Sequence, residues 1–243
     1  ILALNNEYSN LKVIHGNRAS KKPENPDDVR KNMAAQGNTV VELAQRGGRW
    51  GIVKDSPYNR RITPNTPMEI TGPAAGHDLL KTSADPSGTL SLGTWNTCAN
   101  GSTPWGTYLT CEENFNGYYS SSDQEYPLTA EMKRYGVGHK DRGYGWATID
   151  DRFDISKEPN ESNRNGYVVE YDPTDPNFTP KKRTALGRFK HENAEVVIAA
   201  NGHGDFQGVT GTYRQVRGLN QVKCLRLKQR AEQHENCKEP FAS

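Results

Sequence analysis

The sequence predicts an all-β fold, either a sandwich or a propeller. Three observations lead there. Short β-rich runs recur along the chain, each closed by turn residues. Glycine (23) and proline (14) punctuate the 243 residues more densely than the roughly 12% of an average chain. Only one segment carries the full set of helix signals. Strands joined by small turns suit packed or radially arranged sheets. No regular internal repeat marks off blades.

The elements follow in order. Ile1 to Leu4 is apolar and runs into Asn5-Asn6-Glu7, a strand end that delivers polar side chains at its tip. Residues 17–25 form a charged loop. A helix opens at Pro26: Asn25 can cap it, proline suits the first turn, and Asp27 and Asp28 favour the helix N-terminus. Gly37 stops it. Residues 39–43 and 49–53 read as a hairpin turning at Arg46-Gly47-Gly48. Residues 55–77, with four prolines, read as ordered loop. Residues 89–97 and 107–111 form a second strand pair around a turn at 99–104. Residues 120–165 are polar and weakly periodic. Residues 167–171 are a strand ending at Asp172-Pro173, and 185–189 with 196–200 form a further pair. Residues 204–218 carry no strand pattern, and 222–233 read as a second, basic helix.

Composition excludes several classes. No stretch approaches the ~18 apolar residues of a membrane-spanning helix, so membrane insertion is not expected. The net charge is only +2. After His203, seven basic residues stand against four acidic ones, so the positive excess lies in the tail and gives no footprint for nucleic acid. Oligomeric state cannot be read from these features. Cys98, Cys111, Cys224 and Cys237 form no CxxC, which leaves a zinc ribbon or redox motif unsupported. There is no GxSxG elbow, phosphate-binding Gly-Lys-Ser/Thr loop, HExxH helix or dinucleotide fingerprint. The chain opens on Ile1, without an initiator methionine or signal sequence, and reads as a piece of a longer protein.

Candidate chemistry concentrates in residues 95–114. Cys98 and Cys111, with Glu112 and Glu113, lie at the two ends of a hairpin, which antiparallel pairing brings together. Thiolate beside carboxylate is a plausible mixed site for iron or zinc. A Cys98–Cys111 disulfide and two buried thiols are open alternatives. Lys190-His191-Glu192 is a second group. In a regular strand His191 and Glu192 face opposite ways, so both reach one metal only through a bulge or turn. Arg60-Arg61 offers paired guanidinium groups that suit phosphate, and His77-Asp78 could be an orienting pair.

Residues 103–114, Thr-Pro-Trp-Gly-Thr-Tyr-Leu-Thr-Cys-Glu-Glu-Asn, resemble the signature of the PhoX-type alkaline phosphatases. So do Ser-Pro-Tyr-Asn-Arg-Arg-Ile-Thr at 56–63, Gly-Pro-Ala-Ala-Gly-His at 72–77, Leu-Asn-Asn-Glu-Tyr at 4–8 and Gly-Arg-Phe-Lys-His-Glu at 187–192. The runs occur in the family's order and cover residues 1 to about 203. The resemblance implies a β-propeller, here incomplete and with one or two short helices. It implies metal-dependent hydrolysis of small-molecule phosphate monoesters, iron and calcium as cofactors, and a periplasmic or secreted parent protein. It makes Cys98 and Glu192 metal ligands, with Glu7 and Glu113 next. Arg61 and Lys190 are the candidates for steadying phosphate. The family usually has Asn-Cys-Ala-Gly-Gly; here Thr97 precedes the cysteine and Asn100 replaces the first glycine, a turn residue expected to tolerate the left-handed conformation. Residues 204–243 match no family motif and read as a foreign or out-of-frame tail. The expectation is therefore a partial domain, 1–203, inactive by itself; the other reading is a non-catalytic propeller fragment used for binding or scaffolding.

Overall fold

The computed structural model describes residues 1–16, 22–198, 203–210 and 227–228, the last two segments as backbone only. Its centre is a six-stranded sheet. The strands are β6 (Pro67–Thr71), β7 (Leu90–Leu92), β8 (Thr97–Ser102), β9 (Tyr108–Glu112), β10 (Val168–Tyr171) and β11 (Lys181–Arg183), in the order β7-β6-β11-β10-β9-β8. All neighbours are antiparallel except β11 with β6, where Lys182 stands opposite Ile70. A second sheet joins β1 (Leu2–Asn6), β2 (Gly37–Val41) and β5 (Arg60–Ile62). A free hairpin pairs β3 (Leu43–Arg46) with β4 (Arg49–Ile52). The last sheet holds β12 (His191–Ile198), β13 (His203–Thr210) and β14 (Leu227–Lys228).

Alternation along the central strands explains the layering. In β9, Leu109 and Cys111 face one way, packing with Val168, Leu186, Ala194 and Val196 under β12. Tyr108 faces the other way, where Val169 and Tyr171 meet Met68 and, from the β1-β2-β5 sheet, Val40 and Ile62. Both faces of β10 are therefore buried, and its one charged residue, Glu170, accepts from Arg183 Nε at 2.7 Å.

The helix over 26–35 forms as expected. In α2 (Pro26–Ala35), Asn25 Oδ1 accepts from the Asp28 amide at 3.0 Å, and Gly37 follows with φ +91°. A Cβ on Gly37 would stand 2.0 Å from the Ile62 carbonyl oxygen, so glycine is also what lets β2 lie against β5. Two short helices are additional: α1 (Leu11–Ile14) and α3 (Ala130–Tyr135). Residues 113–165 fold as short 3-10 turns, loops and α3 around an aromatic core of Trp95, Phe115, Tyr118, Tyr119, Trp146 and Phe153, against which Val29 and Met33 of α2 pack.

Several expected boundaries shift. The turn at 46–48 is real, but it joins β3 to β4, while residues 39–41 belong to β2 in another sheet. Residues 55–77 hold β5 and β6, because distant strands satisfy their backbone. Residues 90–92 pair with β6 and not with the 107–111 strand, whose partner is 97–102. Residues 184–186 are a 3-10 turn, and β12 pairs instead with 203–210, a segment that shows no strand pattern in the sequence. Of the helix expected at 222–233, residues 227–228 form β14; the rest lies outside the described residues. The architecture is all-β, and its sheets do not close into a ring among the described residues. No described helix is long and apolar enough to cross a membrane.

Candidate metal centre

Three chain segments meet at one end of the central sheet. β1 delivers Glu7 just past its tip. Asn5 fixes that tip: its Nδ2 donates to the carbonyls of Cys98 (2.6 Å) and Ala99 (2.9 Å). Its Oδ1 accepts from Asn38 Nδ2, the Tyr108 hydroxyl and the Thr110 hydroxyl. β8 delivers Cys98. Thr97 pairs with Glu112 and Asn100 with Thr110, so Cys98 and Ala99 together face Cys111: a bulge. The bulge turns the Cys98 side chain out of the ladder while Cys111 stays in the core. Both thiols are free, and the disulfide alternative is overturned. β9 ends at Glu112, and Glu113 is the next residue out.

The donor atoms of Glu7, Cys98 and Glu113 lie within 4.8 Å of one another. A second bulge, between His191 and Asn193 on β12, presents Glu192. Glu192 stands outside that 4.8 Å set but acts on all three groups by charge. Burial, then the negative charges of Glu7, Glu113 and Glu192, push the Cys98 thiol up to about 11. Burial, then Glu192 and Glu7, hold Glu113 above the usual carboxylate range; burial and Glu192 do the same to Glu7, which a hydrogen bond with Cys98 opposes. Three donors that bind metal as anions, held together and partly desolvated, resist ionising side by side, an arrangement that a cation between them relieves. Ligands about 2.0–2.6 Å from a shared ion necessarily lie within such a mutual distance. The donor set fits a metal ion of mixed sulfur and oxygen preference.

The other expected residues divide. Lys190 sits at the rim: its Nζ donates to Asn114 Oδ1 at 3.1 Å. Burial and Arg142 lower its pKa, and nearby Glu113 opposes them. Arg61 commits Nε to the Asn38 carbonyl (3.0 Å) and one terminal nitrogen to that of Gln36 (2.9 Å), both on the β2 side. Arg60 donates to four backbone carbonyls, of Tyr58, Asp172, Pro173 and Asp175, and ties strand ends together. His191 leaves the site: the bulge that a shared metal required is present, yet the ring is fully buried against Phe189 with Nε2 3.1 Å from the Gly187 carbonyl. Glu112 is structural, bonded to Lys182 Nζ (2.9 Å) and the amides of Gly166 and Tyr167. His77 Nδ1 accepts from the Leu79 amide, and Asp78 pairs with Lys81, a local turn.

Sequence reasoning missed Asn96, which lies beneath the cluster. It is fully buried and is the one non-glycine residue with positive φ, +47°, among the described residues. Asn100, the expected left-handed residue, is not one of them. No local sequence signal distinguishes the two asparagines.

A sequence model of the alkaline phosphatase PhoX family matches residues 1–207. No curated protein matches. Among solved structures, Pseudomonas fluorescens PhoX in complex with vanadate, a transition state analogue, superposes with TM-score 0.81 and 50% identity over 86% of this chain. The chain spans 36% of that protein's length. With a family match over most of its residues and half of them identical in a superposable structure, this chain belongs to the PhoX alkaline phosphatase family.

Proposed function

We propose that this chain is the metal-binding part of a phosphatase that hydrolyses small-molecule phosphate monoesters. The observation that carries this reading is the convergence of Glu7, Cys98 and Glu113 within 4.8 Å in a chain of this family. Those three residues, with Glu192, hold the metal. Iron suits the Cys98 sulfur, and calcium suits the carboxylates, which tolerate irregular oxygen coordination. When bound, the cations neutralise phosphate oxygens and the charge that builds on the leaving group. The chain's own residues do the rest. Lys190, oriented by Asn114, offers its ammonium group to a phosphate oxygen at the rim. Arg61, two of whose nitrogens are held by backbone carbonyls, is the second candidate for steadying phosphate. Membership of this family supports a parent protein that works in the periplasm or outside the cell.

Phosphate monoester hydrolysis needs a very large barrier reduction, most of it from positioning and charge stabilisation. A chain spanning 36% of its solved relative is a weak phosphatase by itself. The test is the purified chain, supplied with iron and calcium, on a chromogenic phosphate ester at alkaline pH. Stoichiometric metal uptake with turnover far below one per second is expected. Turnover of about 1–10³ per second would show that the chain alone suffices. A folded protein that takes up no metal would support the binding or scaffold reading instead.

A further inference from the structure

We propose that Asn96 is a positioning residue for the metal centre, holding the Glu7 and Glu113 segments at a fixed separation through one buried side chain. The proposal rests on the metal-binding reading above. Asn96 stands between the two carboxylate segments and bonds to both. Its Nδ2 donates to the Glu7 carbonyl at 3.3 Å and to the Tyr118 hydroxyl at 3.3 Å. Its backbone carbonyl accepts from the Glu113 amide at 3.1 Å. Its Oδ1 accepts from the Asn114 amide at 2.6 Å. Its own amide donates to Gln36 Oε1 at 3.1 Å. Every polar group of this residue is therefore used, and Cys98 lies two positions along the same strand entry.

The backbone shows that this arrangement costs energy. A non-glycine residue at φ +47° occupies a sparsely populated region, unfavourable unless a short polar side chain offsets it. Asparagine is the side chain that best tolerates that region. The left-handed turn reverses the peptide so that the Asn96 carbonyl meets the Glu113 amide while the side chain crosses to Glu7. An ordinary β conformation at residue 96 would point one of these groups away. Asn114, fixed by Asn96 Oδ1, in turn accepts from Lys190 and donates from Nδ2 to the Tyr8 hydroxyl at 3.2 Å. One residue thus joins the Glu7 segment to the Glu113-Asn114 segment, which also carries the rim lysine's partner.

The test is cobalt(II) binding to the full 243-residue chain, read by the near-ultraviolet thiolate-to-cobalt absorption and by the dissociation constant. Asn96→Gly keeps the left-handed backbone and removes the side chain. Asn96→Asp keeps the Oδ1 acceptor for Asn114 and loses the donor to Glu7. Losing a partner that orients metal ligands typically costs 10–100-fold in affinity. Asn96→Gly is expected to weaken cobalt binding by that factor and to change the thiolate absorption. Asn96→Asp should fall between it and the unaltered chain. Thermal melting and near-ultraviolet circular dichroism check the fold; if Asn96→Gly is unfolded, Asn96→Asp carries the test. Lowered melting with unchanged cobalt affinity and absorption in the folded variants overturns the positioning role while leaving the metal-binding reading intact. If the unaltered chain binds no cobalt, the metal-binding reading falls, and the positioning role falls with it.

Discussion

Cys98 and Cys111 are two residues of one type on one hairpin with opposite fates, and the difference is one bulge. Cys111 alternates inward with Leu109 and is fully buried. Cys98, displaced by the bulge, faces three carboxylates. Burial and those negative charges favour the thiol, so its proton leaves only near pH 11. Alkylation requires the thiolate. In the metal-free protein the alkylation rate at Cys98 should therefore rise about tenfold per pH unit from 7 towards 11, followed by peptide mapping so that the other cysteines do not interfere. A plateau near pH 8.5, the ordinary range, would remove the carboxylates from its surroundings. Bound cobalt should suppress the reaction at every pH. Glu7, Cys98 and Glu113, which converge, and Glu192, which acts on them by charge, could be singled out in the sequence because the family resemblance points to them. Whether the cysteines were ligand, disulfide or inert thiols was not, since spacing alone does not place a bulge. Asn96 was invisible for a related reason: its role lies in a backbone dihedral and in partners 17 to 89 positions away.

At the level of elements, the site depends on how closely β12 lies over β8. Gly101 makes that approach possible: a Cβ there would stand 1.7 Å from the Ala194 carbonyl oxygen. Gly101→Ala must push β12 outward, and β12 carries Glu192. The expected cost is about 1–3 kcal/mol in urea denaturation, with weaker metal uptake, because backbone cannot yield as a flexible side chain can. Unchanged stability would show that the two strands are not held together. This contact illustrates what a sequence conceals. α2 was legible to the residue, because Asn25, Pro26 and Gly37 act within one helix turn of its ends. β6 was hidden in a proline-containing stretch, because its neighbour β11 lies more than 100 positions away. β13 was hidden as well: with glycines at 204 and 208 and no apolar run, it pairs by backbone register with β12 rather than by its own pattern.

Across the whole molecule, the aromatic core and the central sheet are joined through a buried ion pair. Lys182 and Glu112 are both fully buried and 2.9 Å apart. Lys182 Nζ also donates to the Arg164 carbonyl (2.8 Å) and Asn165 Oδ1 (2.7 Å), and it lies 5.7 Å from the centre of the Trp95 ring. Burial pulls the lysine below its ordinary pKa, and Glu112 opposes that pull. Glu112 accepts from the Gly166 and Tyr167 amides, which fixes the entry to β10. Such a pair adds little net stability over apolar residues of equal shape, but removing one partner strands the other's charge. Lys182→Met should therefore cost about 3–5 kcal/mol, read by urea denaturation. The double variant Lys182→Met with Glu112→Gln should cost less than the sum of its single changes, by about 0.5–3 kcal/mol, since neither charge is then left alone. Strictly additive costs would mean that the two groups act independently and that the core and the sheet are joined by packing alone. The consequence reaches the metal centre, because Glu113 follows Glu112 directly and Asn96 follows Trp95. The same pair that seats the sheet on the aromatic core thus anchors both chain entries to the cluster, and cobalt affinity should fall with stability in Lys182→Met and recover in part in the double variant.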